Sequence, residues 1–94
     1  MIIGACVVRL HLPGNDSLKG KRGRLKPIVV RLPREFNLAV AETDLHDVWQ
    51  SAEISLVTVS NDVGLVHSVL EKSVQWIEHY APDVDVVDHK IELR

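Results

Sequence analysis

The sequence predicts a single α+β domain with the element order β-α-β-β-α-β. Four segments have the apolar runs or the two-residue alternation of strands, and two longer segments carry apolar side chains at helical spacing. Each element presents largely one apolar face. The compact arrangement that buries all of these faces is a four-stranded antiparallel sheet with both helices on one side. We expect residues 1–94 to form one domain, because the length suits one and no repeat or linker divides it.

The first half of the chain supplies a strand, a helix and a second strand. Residues 2–12 alternate between apolar and more polar side chains, which predicts the first strand. The turn sequence PGND follows, and Asp16 or Ser17 is suited to cap a helix that runs to about Arg34. Residues 36–44 alternate again and predict the second strand.

The second half of the chain supplies the other three elements. Residues 49–60 predict the third strand, which the sequence LHDV connects to the second. A second helix opens at Asn61-Asp62 and ends near Tyr80, because a proline follows. Its apolar stripe is Val63, Val66, Leu70, Val74 and Ile77. The last strand covers about Val84 to Leu93, which completes the split βαβ, or ferredoxin-like, fold.

One face of the predicted sheet has no helix on it. Alternation places there Ile3, Ala5, Val7, Arg9 and His11 from the first strand, Ala39 and Ala41 from the second, and either Ser55, Val57 and Val59 or Ile54 and Leu56 from the third. A bare sheet face this apolar usually meets another surface, most often a second copy of the chain. We therefore expect a homodimer through the sheet face or edge. The predicted interaction surface consists of Val7, Arg9, His11, Trp49 and Gln50.

Positive charge is concentrated in one segment. Residues 17–34 hold seven cations and no carboxylate, and the rest of the chain holds four cations and all thirteen carboxylates. The segment therefore carries a charge of +7, and the rest of the chain carries a charge of −9. Cations and free N–H groups at a helix start suit phosphate. The predicted anion-binding residues are Lys19, Lys21, Arg22, Arg24 and Lys26. The alternative is a solvated basic face paired with the acidic hairpin of the same protein or of a partner subunit.

The same segment opposes a regular helix. Gly20 and Gly23 each cost up to about 1 kcal/mol relative to alanine in a helix interior. Pro27 removes a backbone donor and clashes with the carbonyl four residues earlier. We expect the first half of this helix to be frayed, bent or irregular when alone.

A second polar cluster lies in the sequence ETDLHDVWQ, residues 42–50. On an extended chain Glu42, Asp44 and His46 share one face, and carboxylate and imidazole groups at this spacing can hold a divalent metal. A polar hairpin that hydrogen-bonds its own turn explains the same residues. The cluster holds one histidine and no HExxH-type element, so no metal or other cofactor is predicted.

Several classes of protein are disfavoured. No nucleophile–base pair, nucleotide loop or cofactor fingerprint is present, so we expect no enzymatic activity. The pI of about 6.2 opposes non-specific nucleic-acid binding and predicts no DNA partner, and the central strands lack the aromatic residues of an RNA-recognition motif. Cys6 is expected to be a buried thiol in the reducing cytoplasm. Neither secretion nor membrane insertion is predicted, because the apolar segments are too short and the N-terminus lacks a basic region.

The segments LHLPGNDSLKGKR, FNLAVAET and HDVWQSA together resemble the YlxP-like family of small bacterial proteins, a domain of unknown function. The resemblance runs in register from about Ile3 to Asp62 and more loosely to the end. It implies a ferredoxin-like fold. Because members are often encoded near translation and ribosome-maturation genes, it also implies contact with the ribosome or its RNA. It implies no catalytic residues, and Gly20, Gly23 and Pro27 stand where members usually carry better helix formers.

The favoured function is that of a small cytoplasmic accessory factor that contacts RNA or the ribosome through the basic helix start. Two alternatives come from other parts of the sequence. One is a homo-oligomeric interaction module that uses the open sheet face, and the other is a weak metal or small-molecule site in the acidic hairpin.

Overall fold

The computed structural model describes residues 1–94 and contains the six predicted elements in the predicted order. They are β1 (Ile2–His11), α1 (Leu18–Glu35), β2 (Ala39–Asp44), β3 (Ser51–Ser60), α2 (Val63–Tyr80) and β4 (Asp85–Leu93). The four strands form one antiparallel sheet in the order β2-β3-β1-β4. The apolar stripes of both helices share one buried core with the sheet. The predicted ferredoxin-like fold is therefore confirmed.

The pairing of β1 with β3 decides which side chains face the helices. Cys6 lies opposite Leu56 and Val8 lies opposite Ile54, and directly opposed residues share a face of the sheet. All four are fully buried in the core. The third strand therefore presents the other set to the open face: Ser55, Val57 and Val59.

α1 is one continuous helix in the folded chain. The Ser17 hydroxyl caps it by accepting a hydrogen bond from the Gly20 N–H (2.9 Å). Pro27 and Pro33 both lie inside the helix. The irregularity that the sequence predicts for the isolated segment is therefore absent from the folded protein.

Packing against the sheet explains why α1 stays regular. Leu25, Ile28 and Leu32 are buried, and full burial of such a side chain contributes about 1.5–3 kcal/mol. Gly20 and Gly23 oppose the helix by about 1 kcal/mol each, and Pro27 and Pro33 oppose it by about 3 kcal/mol each. The free energy gained by burial is thus about as large as the free energy that these residues cost the helix, and burial keeps the helix continuous.

α2 packs against the centre of the sheet. Its buried side chains include Val66, Leu70, Val74 and Ile77. Val63 is 48% exposed, so the buried stripe begins about one turn later than the sequence predicts. Gly4 of β1 permits the close approach of α2, because a Cβ there would clash with Val66 Cγ1. Neither helix is long and apolar enough to cross a membrane.

Candidate functional site

Three of the five predicted anion-binding residues are exposed on α1. Lys19, Arg22 and Lys26 follow one another at spacings of three and four residues, which makes them neighbours along one side of the helix. None of the three forms an ion pair with a carboxylate of the chain. We call these three residues the cationic stripe.

Lys21 is not part of this exposed surface. Its side chain is only 2% exposed, and its ammonium lies 3.0 Å from Glu42 Oε2 of β2. The same ammonium donates a hydrogen bond to the Leu45 carbonyl at 2.5 Å, so one lysine serves both the Glu42 carboxylate and the Leu45 carbonyl. The structure therefore removes Lys21 from the predicted phosphate-binding set, because a phosphate cannot reach a lysine that the fold already covers.

Arg24 is also engaged by the protein itself. Its guanidinium donates to the Pro13 carbonyl (2.9 Å) and lies 3.8 Å from the Asp83 carboxylate. Its side chain is 27% exposed. Arg24 thus ties the start of α1 to the loop before β4, and the helical repeat places it on another side of α1 from the cationic stripe.

A buried amide joins the start of α1 to the loop between β2 and β3, residues 45–50, which we call the hairpin loop. Asn15 is 4% exposed. Its Nδ2 donates both to the Ser17 carbonyl (2.8 Å) and to the Trp49 carbonyl (2.5 Å). Since Lys21 holds the Leu45 carbonyl, the hairpin loop is fastened to α1 near both of its ends.

Glu42 and His46 line one hollow, but Asp44 does not share their face, so the predicted common face of all three residues is wrong. A β-bulge between Glu42 and Asp44 shifts the alternation of side chains, and Leu45 then turns the chain with a φ of 62°. Asp44 Oδ1 accepts from the Leu45 N–H (2.8 Å), and His46 Nε2 donates to the Glu42 carbonyl (3.1 Å). No group of three His, Cys, Asp or Glu side chains is placed to hold a metal.

The predicted interaction surface extends from the open sheet face to the hairpin loop, and the two parts meet where His11 Nδ1 donates to the Gln50 carbonyl (2.9 Å). Val7, Arg9 and His11 lie on the open face of the sheet, where Arg9 forms an ion pair with Glu53 (3.2 Å). Gln50 lies in the hairpin loop, and its carbonyl accepts from the Leu12 N–H (2.9 Å). Trp49 also lies in the hairpin loop and is 52% exposed.

Two shallow depressions flank Arg22. One, of about 340 Å³, lies between α1 and β2 and is lined by Arg22, Leu25, Lys26, Val29 and Glu42. The other, of about 140 Å³, joins α1 to the hairpin loop and is lined by Leu18, Lys21, Arg22, Glu42, His46 and Asp47. Arg22 therefore connects the cationic stripe to the hairpin loop.

The sequence contains a signal for the role of Lys21. Lys21 stands four, seven and eleven residues before Leu25, Ile28 and Leu32, which places it on the buried stripe of the helix. A lysine at such a position is as consistent with a buried ion pair as with a charge exposed to solvent. The contact of Asn15 with Trp49 has no comparable signal, because the two residues are 34 positions apart and turn chemistry alone explains an asparagine after Pro-Gly.

Comparison with known proteins gives a family and a fold. The family model described as "Protein of unknown function (DUF503)" matches residues 3–91. The chain is 29% identical over 69 residues to the Uncharacterized protein YlxP of Bacillus subtilis (strain 168), a match that covers 73% of this chain and 74% of that protein.

Among solved structures, two de novo designed proteins share the architecture. LFR1 1, designed with a ferredoxin fold, matches with a TM-score of 0.59 and 14% identity over 100% of this chain and 84% of its own. Foldit4 matches with a TM-score of 0.55 and 10% identity over 100% of this chain and 97% of its own. At these identities the likeness shows the fold alone. The family match, in contrast, spans nearly the whole sequence, and this chain belongs to the DUF503 family.

Proposed function

We propose that this protein is a non-enzymatic accessory factor of the cytoplasm that binds RNA, free or within the ribosome, through the cationic stripe. One observation carries the proposal: Lys19, Arg22 and Lys26 are exposed side by side, and no carboxylate of the chain pairs with them. The resemblance to YlxP-like proteins supports RNA of the translation apparatus as the polyanion.

Internal pairing accounts for three other cations of the segment, but not for the stripe or for Arg34. Lys21 pairs with Glu42, Arg24 lies near Asp83, and Arg31 lies 3.5 Å from Glu35. Like charges at spacings of three and four residues repel each other and weaken a helix. A bound polyanion relieves this repulsion, whereas the folded chain alone does not.

The affinity of the cationic stripe for RNA should fall with salt concentration by a predictable amount. Each phosphate neutralised on a single strand releases counterions and contributes about −0.7 to the slope of log affinity against log salt concentration. Three cations that each meet one phosphate therefore predict a slope of about −2. Binding should be saturable at low salt and should fall log-linearly as salt increases.

The test is co-sedimentation with ribosomal subunits and titration against total RNA at several salt concentrations. The double variant Lys19→Glu/Arg22→Glu should lose most of the affinity and flatten the salt dependence. Lys72 and Arg94 form no ion pair, so Lys72→Glu/Arg94→Glu is a control with the same change in net charge. Equal losses in both variants, or no saturable binding at low salt, would contradict the proposal.

The open sheet face supports a second role, association of two copies of this chain. Val7 is 37% exposed, Val57 is 43% exposed and Val59 is 50% exposed, and they lie on adjacent strands of the same face. The two cations on this face already have partners, since Arg9 lies 3.2 Å from Glu53 and Lys90 lies 3.6 Å from Glu92. Two copies can therefore meet without an unpaired cation between them.

Sedimentation equilibrium tests this second role. Val57→Asp should shift the protein towards the monomer, because a carboxylate in the apolar patch must be desolvated on association. Val30 on α1 is 42% exposed, so Val30→Asp is a control of matched exposure and should leave association unchanged. A wild-type protein that stays monomeric at high concentration rules this role out.

A further inference from the structure

The hairpin loop, which is fastened to the start of α1, presents an exposed aromatic ring. Trp49 is 52% exposed, although an indole of this size is usually covered in a folded domain. Its backbone is fixed, because its carbonyl accepts a hydrogen bond from the buried Asn15 amide. The same amide also donates to Ser17, the residue that caps α1. The backbone of Trp49 is therefore tied, through Asn15, to the first residues of the helix that carries Lys19 and Arg22.

The attachment of Trp49 leaves its side chain free. The Asn15 amide binds the Trp49 carbonyl and not the indole. At the other end of the loop, Lys21 binds the Leu45 carbonyl. The backbone that carries the indole is thus fastened at two buried points, so little backbone conformational entropy is lost when a ligand stacks on the ring.

A continuous depression connects this loop to the stripe. His46 and Asp47 of the loop and Arg22 of α1 line the same hollow of about 140 Å³. Asp47 is exposed and forms no ion pair, so its carboxylate is the charge that would oppose a phosphate on this path. Trp49 follows two residues later in the chain.

Exposed cations near a loop that carries an exposed aromatic ring suit one class of nucleic acid. Cations bind the phosphates of any strand, but an aromatic side chain stacks only on a base that is not already paired and stacked in a duplex. Stacking of this kind contributes about 1–3 kcal/mol per base and is tolerant of sequence.

From this arrangement we infer that the protein binds unpaired RNA, with one base stacked on Trp49 and the flanking phosphates on Lys19, Arg22 and Lys26. This inference rests on the proposed function and specifies its ligand as a single strand, such as a loop or an end. In this arrangement Asp47 lowers the affinity for RNA, because its carboxylate lies in the same hollow as Arg22 and repels the phosphates.

The test uses tryptophan fluorescence of the full chain. The chain has two tryptophans, and Trp76 stacks on Tyr80 of α2 with ring centroids 4.5 Å apart. In a Trp76→Phe background, Trp49 is the sole reporter. Titration with an adenine-rich single-stranded RNA should quench its emission saturably, and the same RNA annealed into a duplex should bind more weakly. A single-stranded DNA of the same sequence measures how much of the affinity depends on the 2′-hydroxyl groups.

Variants separate the ring from the charges. In the wild-type background, with affinity read from labelled RNA, Trp49→Leu should weaken single-strand binding about fivefold or more, whereas Trp49→Phe should retain most of the affinity. Asp47→Asn should strengthen binding, because it removes the opposing carboxylate. None of these changes removes the hydrogen bond to the Trp49 carbonyl, so circular dichroism should show an unchanged fold.

The outcomes distinguish this inference from the proposed function. If duplex and single strand bind equally, or if Trp49→Leu has no effect while Lys19→Glu/Arg22→Glu abolishes binding, the stripe binds RNA without the ring and the inference is overturned. If no RNA binds at low salt, the proposed function and the inference fail together. Selective quenching by the single strand, lost on reversal of the stripe charges, supports both.

Discussion

The ammonium of Lys21 lies 3.0 Å from the carboxylate of Glu42, in a place where the lysine side chain is only 2% exposed. The pair joins the first turns of α1 to the edge strand β2. The same ammonium donates to the Leu45 carbonyl at 2.5 Å, so one buried charge fixes both the helix and the hairpin loop. Lys21 therefore supports the proposed RNA-binding surface without being part of it.

Removal of the Lys21 charge should destabilise the protein. Lys21→Met keeps the apolar stem but leaves the Glu42 carboxylate and the Leu45 carbonyl without their partner. Loss of one member of a buried pair costs about 3–5 kcal/mol, and because Glu42 is 27% exposed we expect the free energy of unfolding to fall by about 2–4 kcal/mol. Urea denaturation measures this change.

The coupling between the two residues is tested with Glu42→Gln. In the double variant Lys21→Met/Glu42→Gln the unpaired charge is gone, so the loss should be smaller than the sum of the single losses by about 1 kcal/mol or more. Lys19→Met on the exposed side of the same helix is the control and should change stability by less than about 0.5 kcal/mol. Strictly additive single effects would show that the pair does not interact.

Two glycines of α1 should respond in opposite directions to the same substitution. A Cβ at Gly20 would lie 2.5 Å from Asn15 Oδ1, whereas a Cβ at Gly23 would meet nothing within 4 Å. Gly20→Ala should therefore lower the free energy of unfolding by about 1–3 kcal/mol through overpacking. Gly23→Ala should raise it by about 0.5–1 kcal/mol through better helix propensity. Thermal or urea unfolding of both variants decides the matter, and a shared sign would contradict the described contact.

Asn15 should control the rigidity of the hairpin loop. Asn15→Ala removes two hydrogen bonds from a buried amide and leaves the Ser17 and Trp49 carbonyls without their donor, which should cost about 1–3 kcal/mol. Amide hydrogen exchange in residues 45–50 should accelerate more than exchange in β1. Uniform acceleration across the protein would indicate a global loss of stability without a local role in the loop.

The stability of the protein should fall in alkaline solution because of Cys6. Burial raises the pKa of the Cys6 thiol from 9.0 to about 11, with a further rise from the nearby Glu71 carboxylate that a backbone hydrogen bond at Lys90 partly offsets. Between these two values the unfolded chain loses the thiol proton while the folded chain keeps it. The thiol's contribution is therefore intact below about pH 9 and declines towards pH 11, by an amount on the order of 2 kcal/mol.

The control for this prediction is Cys6→Ala, whose stability profile should lack that part of the alkaline decline. Wild-type Cys6 should also react with a thiol reagent only as fast as the protein opens, since the thiolate is the reactive form and the side chain is fully buried. Rapid modification of the native protein would be inconsistent with the described burial.

Much of the fold can be predicted from the sequence because the relevant patterns are local. The alternation in β1, the cap at Ser17 and the stripe of α2 each depend on residues within a few positions of one another. The interior of α1 is different. Gly20, Gly23 and Pro27 locally oppose a helix, and only the burial of residues that pack on the sheet makes it continuous.

The candidate site was less accessible to prediction, since its contacts join distant parts of the chain. Lys21 and Leu45 are 24 positions apart, and a bulge in β2 that the alternation does not reveal places Asp44 opposite Glu53, while Glu42 stays opposite Ile54. In the sequence, the five cations of residues 19–26 therefore form a single cluster. In the structure they separate into three exposed charges and two that hold the fold together.

The sequence by itself determined the order of the elements and the segregation of positive charge into residues 17–34, because periodicity, turn chemistry and composition are properties of neighbouring residues. Only the tertiary structure decided which of those charges reach solvent and what stands beside them. The reason is that burial and ion pairing depend on how the sheet positions β2 and the hairpin loop relative to α1, and no local sequence pattern encodes that position.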